Sequence, residues 1–412
     1  MDENLAASVG KQASEVSKTS EVSTCASAKR LPRNVKLLGW ASLLNDVASE
    51  MVVPLLPNFL LDSKLLGGSK AWLGAIEGAA DSASSLVKLG AGAWSDRVRS
   101  RKWFVLPGYA IAAVARPIIG LLTLPWQLLA VRMADRVGKG IRTSPRDAMI
   151  ADSTAPEMRG WAFGFHRAMD HLGAVIGPLL AAAFLLWVSA DLRTLFLWTL
   201  LPGLMVVGLL GFGLRERARA VNVGTKHAWT LKPFGWSFRF YLLALVVFTL
   251  GNSSDMFLLV RAEEMGVARE LLPLLWCVFH VAKSAGNMLA GRAVDRLGPR
   301  PMILAGWVVY AAVYLAFAVV SAAWQVWALF LVYALFYALT EPAEKTLVAN
   351  LVGEEHRGLA YGWYHFAVGI ATLPASLVFG WIYDAYGPAT AFGWGAALAT
   401  VSAAMLAGVR GR

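Results

Sequence analysis

The chain has 412 residues, of which 57% are hydrophobic and 16% charged, and it carries a net charge of +11. Soluble domains average roughly 45–50% apolar and about 25% charged, so this composition excludes an ordinary soluble domain and points to a membrane protein. No soluble basic domain is visible to bind nucleic acid, and two cysteines, Cys25 and Cys277, give neither a disulfide framework nor a metal-ligand spacing.

Residues 1–34 are rich in Ser, Glu, Lys and Ala. They lack the apolar core of a signal peptide and read as a disordered cytoplasmic tail. From residue 35 onward, apolar segments approach or exceed the ~20 residues needed to cross a bilayer. The predicted spans are 35–61, 70–93, 102–123, 125–148, 159–188, 191–214, 238–261, 270–294, 300–321, 323–350, 358–383 and 387–409. The expected fold is therefore an all-α membrane protein with twelve transmembrane helices. Basic residues crowd one set of loops, among them Arg97, Arg101, Lys102, Arg159, Arg215, Arg292, Arg296, Arg300 and Arg357. The other set holds little beyond Lys64, Lys70, Arg193, Arg261 and Arg269. Positive charge stays inside, so both termini are expected in the cytoplasm, at the inner (cell) membrane.

The two halves repeat. Gly92-x-x-x-Asp96-Arg97 returns 199 residues later as Gly291-x-x-x-Asp295-Arg296. Arg159-Gly160-x-Ala162-x-Gly164 returns after 198 as Arg357-Gly358-x-Ala360-x-Gly362, and Ala151-Asp152 maps at that offset onto Ala349-Asn350. This predicts two six-helix bundles, 35–214 and 238–412, joined by a cytoplasmic linker over 215–237. Parallel six-helix repeats are a transporter architecture.

These residues resemble the major facilitator superfamily, over nearly everything after the tail. Gly291-Arg-Ala-Val-Asp295-Arg296-Leu-Gly298-Pro-Arg300 is similar to the family's loop motif, while the N-terminal copy has Arg99 where Gly is usual. Gly173-Ala-Val-Ile-Gly177-Pro178 is similar to the fifth-helix motif of the family's twelve-helix drug/proton antiporters, with Ala181 and Ala182 in place of its last two glycines. In the fourth-helix motif Arg132 is present and Arg136 replaces a Gly. The resemblance implies that spans 1, 4, 7 and 10 line a cavity while 3, 6, 9 and 12 face lipid. It also implies that the loops with Gly92, Asp96, Arg97, Gly291, Asp295 and Arg296 latch the cytoplasmic side. An acid there can sit at the N-terminus of a neighbouring helix. Gly173, Gly177 and Pro178 are expected to pack closely, at a rocking interface with the other half.

Intramembrane charges follow the same division. Spans 6, 9 and 12 carry none in their interiors and span 3 only Arg116. Asp46 and Glu50 lie on span 1; Glu77, Asp81 and Lys88 on span 2; Arg132, Asp135, Arg136, Lys139 and Arg142 on span 4. Asp255 is on span 7, His280 and Lys283 on span 8, Glu341, Glu344 and Lys345 on span 10, and His365 on span 11. At 1.5 Å per residue, Asp46 lies roughly 16 Å from the inner edge and Lys139 roughly 21 Å from the outer. Both fall near the midplane, with Asp81, while Glu50 and Arg132 meet further out. Charges that pair off could serve packing alone, but so many in hydrocarbon mark a pathway.

The expected function is proton-coupled export of a small molecule by alternating access. Asp46, Glu50, Asp81 and Asp255 are the proton-carrier candidates, and Arg132, Arg136, Lys139, Arg142, Glu341 and His365 the cavity candidates. Uptake of a small anion by proton symport is the alternative. No nucleotide-binding loop or enzyme motif occurs, so neither a cofactor nor an enzymatic activity is expected. The partners are the substrate, protons and lipid, without nucleic acid, and the chain reads as a monomer. His166, four residues from Asp170, reads as a hydrogen-bonded interface residue, with His280 and His365 possible neighbours. No metal site is expected; were one built there, divalent-metal efflux would be the function. A non-transporting membrane sensor is the remaining competitor.

Overall fold

Backbone groups in hydrocarbon have no water to bond, so an apolar chain of this kind must satisfy them within helices. The computed structural model describes residues 30–68, 70–98, 100–216, 229–252, 255–268 and 271–408, without the side chains of 70–75, 77, 78, 81 and 82. Among these residues there are helices and no strand. Of the predicted tail, 1–34, residues 1–29 lie outside the described residues, as do 217–228 of the predicted linker, 215–237.

The first predicted span is not one helix. Helix α1 (Arg33–Glu50) gives way to a 3-10 turn at Val53–Leu55 and a short α2 (Leu56–Leu61). Pro54 and Pro57 remove two backbone donors there, which breaks the ladder. Then follow α3 (Lys70–Ser95), α4 (Lys102–Ile118), α5 (Pro125–Asp152) and α6 (Arg159–Trp187). The Gln127 side chain accepts from the Thr123 and Leu124 N–H groups at 2.9 and 3.1 Å, which caps the start of α5. The sixth predicted span divides into α7 (Leu192–Trp198) and α8 (Leu200–Gly213), and the seventh into α9 (Trp236–Gly251) and α10 (Met256–Glu264). The chain ends in α11 (Leu272–Leu297), α12 (Pro299–Val319), α13 (Ala323–Leu351), α14 (Arg357–Tyr386) and α15 (Pro388–Ala407). Gly298 and Gly387, at φ +85° and +84°, turn α11 into α12 and α14 into α15 without a loop.

Eight helical stretches among the described residues are long and apolar enough to cross a membrane. The helices α1, α3, α5 and α11 are similarly long or nearly so but fall outside that set, and they carry much of the charge. Large apolar side chains cover the outside, with Phe212 93% and Trp187 82% exposed, as suits contact with lipid.

Several helix pairs approach at glycines, among them α3 with α14 and α6 with α11. On α3, a Cβ at Gly92 would stand 2.2 Å from the Gly358 carbonyl of α14. On α11, a Cβ at Gly291 would stand 2.6 Å from the Gly160 carbonyl of α6. Neither neighbour is a flexible side-chain end, so the backbones themselves must part. Gly291→Ala is therefore expected to cost about 1–3 kcal/mol. Gly208→Ala, where a Cβ meets nothing within 4 Å, should be neutral or slightly stabilising. Thermal unfolding in detergent checks the pair.

Candidate functional site

A cavity of about 290 Å³ lies among α1, α3, α5, α6, α13 and α14. Lys139, Arg142 and Arg146 follow the i, i+3, i+7 spacing of one α5 face, which turns all three towards it. Asp46 enters from α1, Lys88 from α3, Arg167 and Asp170 from α6, Glu341 and Lys345 from α13, and Tyr364 and His365 from α14. The wall thus carries six Lys or Arg side chains and three carboxylates.

Several of these charges pair across the cavity. Arg167 of α6 binds Asp170 at 2.8 Å and reaches Glu341 of α13. Glu341 also receives the His171 ring at 2.8 Å and the Asn287 amide at 2.9 Å. Asp147, fully buried on α5, is held by Arg146 at 3.0 Å, Lys345 at 3.0 Å and His365 at 2.9 Å. Three donors around one carboxylate offset its desolvation. Ser42 donates to Asp170, and the Tyr364 hydroxyl to Glu344 at 2.7 Å.

Two aspartates sit beside the glycine contacts of α3 with α14 and of α6 with α11. The Gly358 and Leu359 N–H groups, at the start of α14, donate to Asp96 at 2.9 and 2.8 Å. The Gly160 and Trp161 N–H groups, at the start of α6, donate to Asp295 at 2.6 and 2.8 Å. These donors lack intrahelical partners, and the helix dipole favours an anion beside them. Arg357 binds Asp152 at 2.6 Å, while Arg159 donates to Asn350 at 2.8 Å. Arg101 adds ion pairs to Asp96, at 2.8 Å, and to Asp152. Arg97 and Arg296 are exposed at the same turns.

Not every sequence candidate reaches the cavity. Arg132 and Arg136 do not line it; Arg132 lies 3.6 Å from Asp135, which also binds Arg116 at 3.3 Å. Arg116, which looked like a stray charge on a lipid-facing span, is buried and donates to the Asn45 carbonyl at 2.7 Å. Glu50 meets Gly177 rather than Arg132. Asp255 accepts from the Tyr333 and Tyr337 hydroxyls, at 2.8 and 2.9 Å, away from the cavity. The Asp81 and Glu77 side chains lie outside the described residues. Gly173 and Gly177 pack on α1, against the Leu43 and Val47 carbonyls, not on the other half. Pro178 lies inside α6, which runs unbroken to Trp187. The hydrogen bond expected for His166 is absent among the described residues: its Nδ1 stands 3.6 Å from Asp170, and neither ring nitrogen has a hydrogen-bond partner there.

The sequence pattern of the Major Facilitator Superfamily matches residues 38–279 and, again, 241–411. The chain belongs to the major facilitator superfamily. It is an integral membrane transporter rather than an enzyme, and the transporters of this superfamily carry small molecules. An uncharacterised MFS-type transporter of Methanocaldococcus jannaschii is 31% identical over 92% of this chain and 95% of its own. The multidrug resistance protein MdtH of Proteus mirabilis is 25% identical over 76% of this chain and 79% of its own. Among solved structures, the human organic anion transporter MFSD10 superposes with a TM-score of 0.78, at 18% identity over 91% of this chain and 99% of its own. The superfamily member FucP in its outward conformation gives 0.74, at 17% identity over 92% and 99%. At such identities these structures share the fold alone.

In this superfamily member, sequence reasoning passed over Arg146, Asp147 and Lys345 as site residues. Arg146 and Asp147 fall at the end of a predicted span, where charge is ordinary. The signal was their distance along the helix from Lys139 and Arg142: seven and eight residues from Lys139, two turns on.

Proposed function

We propose that the chain is a proton-coupled exporter of a small molecule, working by alternating access in the inner membrane. In this reading twelve spans form two six-helix repeats, 35–214 and 238–412, with the tail 1–34, the linker 215–237 and both termini in the cytoplasm. What supports it is a charged cavity lined from α1, α3, α5, α6, α13 and α14, together with two helix starts, of α6 and α14, each capped by an aspartate. Asp96 and Asp295 hold the cytoplasmic side shut, and Gly92 and Gly291 let the helices close on each other. Asp46, which faces the cavity, takes and releases the proton. The likeness to multidrug resistance proteins supports the outward direction.

Everted vesicles test this. Cells with and without the chain are first compared for susceptibility to metals, antimicrobials and organic acids. Each solute so identified is then added to energised vesicles while internal pH is followed. Exchange predicts proton release from the acidified lumen on solute addition; solute movement without any proton movement would end the proposal.

One observation favours the symport alternative: the lining has more cations than carboxylates. An anion beside Lys139 would repel the Asp46 carboxylate, so anion and proton would bind together. That coupling gives no release in the same assay, and the solute instead draws protons with it.

A further inference from the structure

Arg167, Lys345 and Arg146 hold carboxylates around the cavity. Three other charges are not matched in this way. Asp46 accepts one hydrogen bond, from the Asn45 amide at 2.9 Å, and among the described residues no Lys, Arg or His nitrogen lies within 4.0 Å of it. Lys139 stands exposed to the cavity and makes no ion pair among the described residues. Arg142 donates to the Gly108 carbonyl at 3.0 Å and the Asn45 side-chain oxygen at 3.4 Å, and lies 4.5 Å over the Tyr109 ring. Among the described residues no carboxylate is within 4.0 Å of it, and Asp135 acts on it only from further off.

Ionised groups held in a membrane interior without a counter-charge are costly, and neutral side chains would be cheaper. Here opposite charges border one cavity and do not meet. We propose that the cavity binds a zwitterion, whose oxyanion lies between Lys139 and Arg142 and whose ammonium meets Asp46. This rests on the exchange reading and names its solute. A simple cation would meet Lys139 unscreened, and a simple anion would leave Asp46 unsatisfied. Asp46 is also faced by Asp170 and Arg167 from α6, Lys139 from α5 and Arg116 from α4. An ammonium and a proton compete for that carboxylate, which is the coupling that exchange requires. The cavity volume restricts the solute to a small one.

The test is equilibrium binding to the purified full chain in detergent, read as a ligand-induced rise in Tm. The probes are aminoalkyl carboxylates and aminoalkyl phosphates of graded spacer length. Each is paired with its N-acetyl form, an anion, and the carboxylates also with their methyl esters, which are cations. At least one zwitterion should stabilise the protein, with its acetylated and esterified forms binding about tenfold or more weakly. Lys139→Gln and Asp46→Asn should each weaken the zwitterion by a similar factor, and Asp46→Asn should spare the N-acetyl form. Lys139→Gln should melt no lower than the parent, because it removes an unmatched ammonium, and Lys139→Arg should retain binding. Stabilisation by cations alone, equal stabilisation by the acetylated form, no stabilisation by any probe, or unchanged affinity in Lys139→Gln overturns the proposal. Binding needs no proton gradient. Zwitterion binding without proton-coupled flux would therefore sink the exchange reading alone, and proton exchange of a different solute class would sink this one alone.

Discussion

Asp96→Asn is expected to collapse transport while leaving the protein folded and inserted. The Asp96 carboxylate receives two backbone N–H groups at the start of α14 and an ion pair from Arg101. Arg101 continues to Asp152, and Asp152 to Arg357 on α14. Hydrogen bonds to a charged group contribute about 1.5–3 kcal/mol each. Neutralising Asp96 weakens all three contacts at once and leaves Arg101, 1% exposed, with less compensation. A loss of ~3 kcal/mol from one conformation shifts its population about 100-fold, enough to strand a transporter in the other. Asp295→Asn should do the same more weakly, since Asp295 holds two backbone donors and the neighbouring cross-contact is Arg159 to a neutral Asn350. Flux and membrane abundance, measured together for both variants, check the order. Normal flux in Asp96→Asn would remove the gating role.

Asp46→Asn should abolish proton-driven net flux yet permit solute exchange in proteoliposomes without a pH gradient, at solute concentrations raised to offset its weaker binding. The amide mimics a permanently protonated carboxyl, and exchange does not require the empty carrier to return. A purely structural Asp46 predicts the reverse pattern: both activities fall together with thermal stability, because a partner is left buried and unpaired. No cation lies within ion-pair distance of Asp46 among the described residues, so the melting temperature is expected to hold or rise. Unchanged pH-driven flux in the variant would move the proton site elsewhere. Glu344, buried beside the Tyr364 hydroxyl, and Glu50 would be the next to test.

The membrane class, the helical character and the approximate limits of the long helices were legible in the residues, because the demand of hydrocarbon on a backbone is local. The segment predicted over 102–123 is α4 with its 3-10 end at Leu121, and the one predicted over 323–350 is α13. The inward turn of the charges was legible as well, since lipid excludes them. Which charges meet was not. Depth follows from a rise of about 1.5 Å per residue, but which way each helix face turns is set only when the helices pack. Arg132 thus goes to Asp135 and not to Glu50, and Arg116 turns inward to both Asp135 and Asn45. Gly173 and Gly177 announce a close approach without naming the neighbour, because any helix backbone satisfies a missing Cβ; tertiary packing chose α1. The type of Asp96 and its place in a basic loop suggested an acid at a helix N-terminus. Only the folded chain brings it to Gly358, 262 residues away, where the orphan N–H groups of α14 and a buried Arg101 give that carboxylate something to hold.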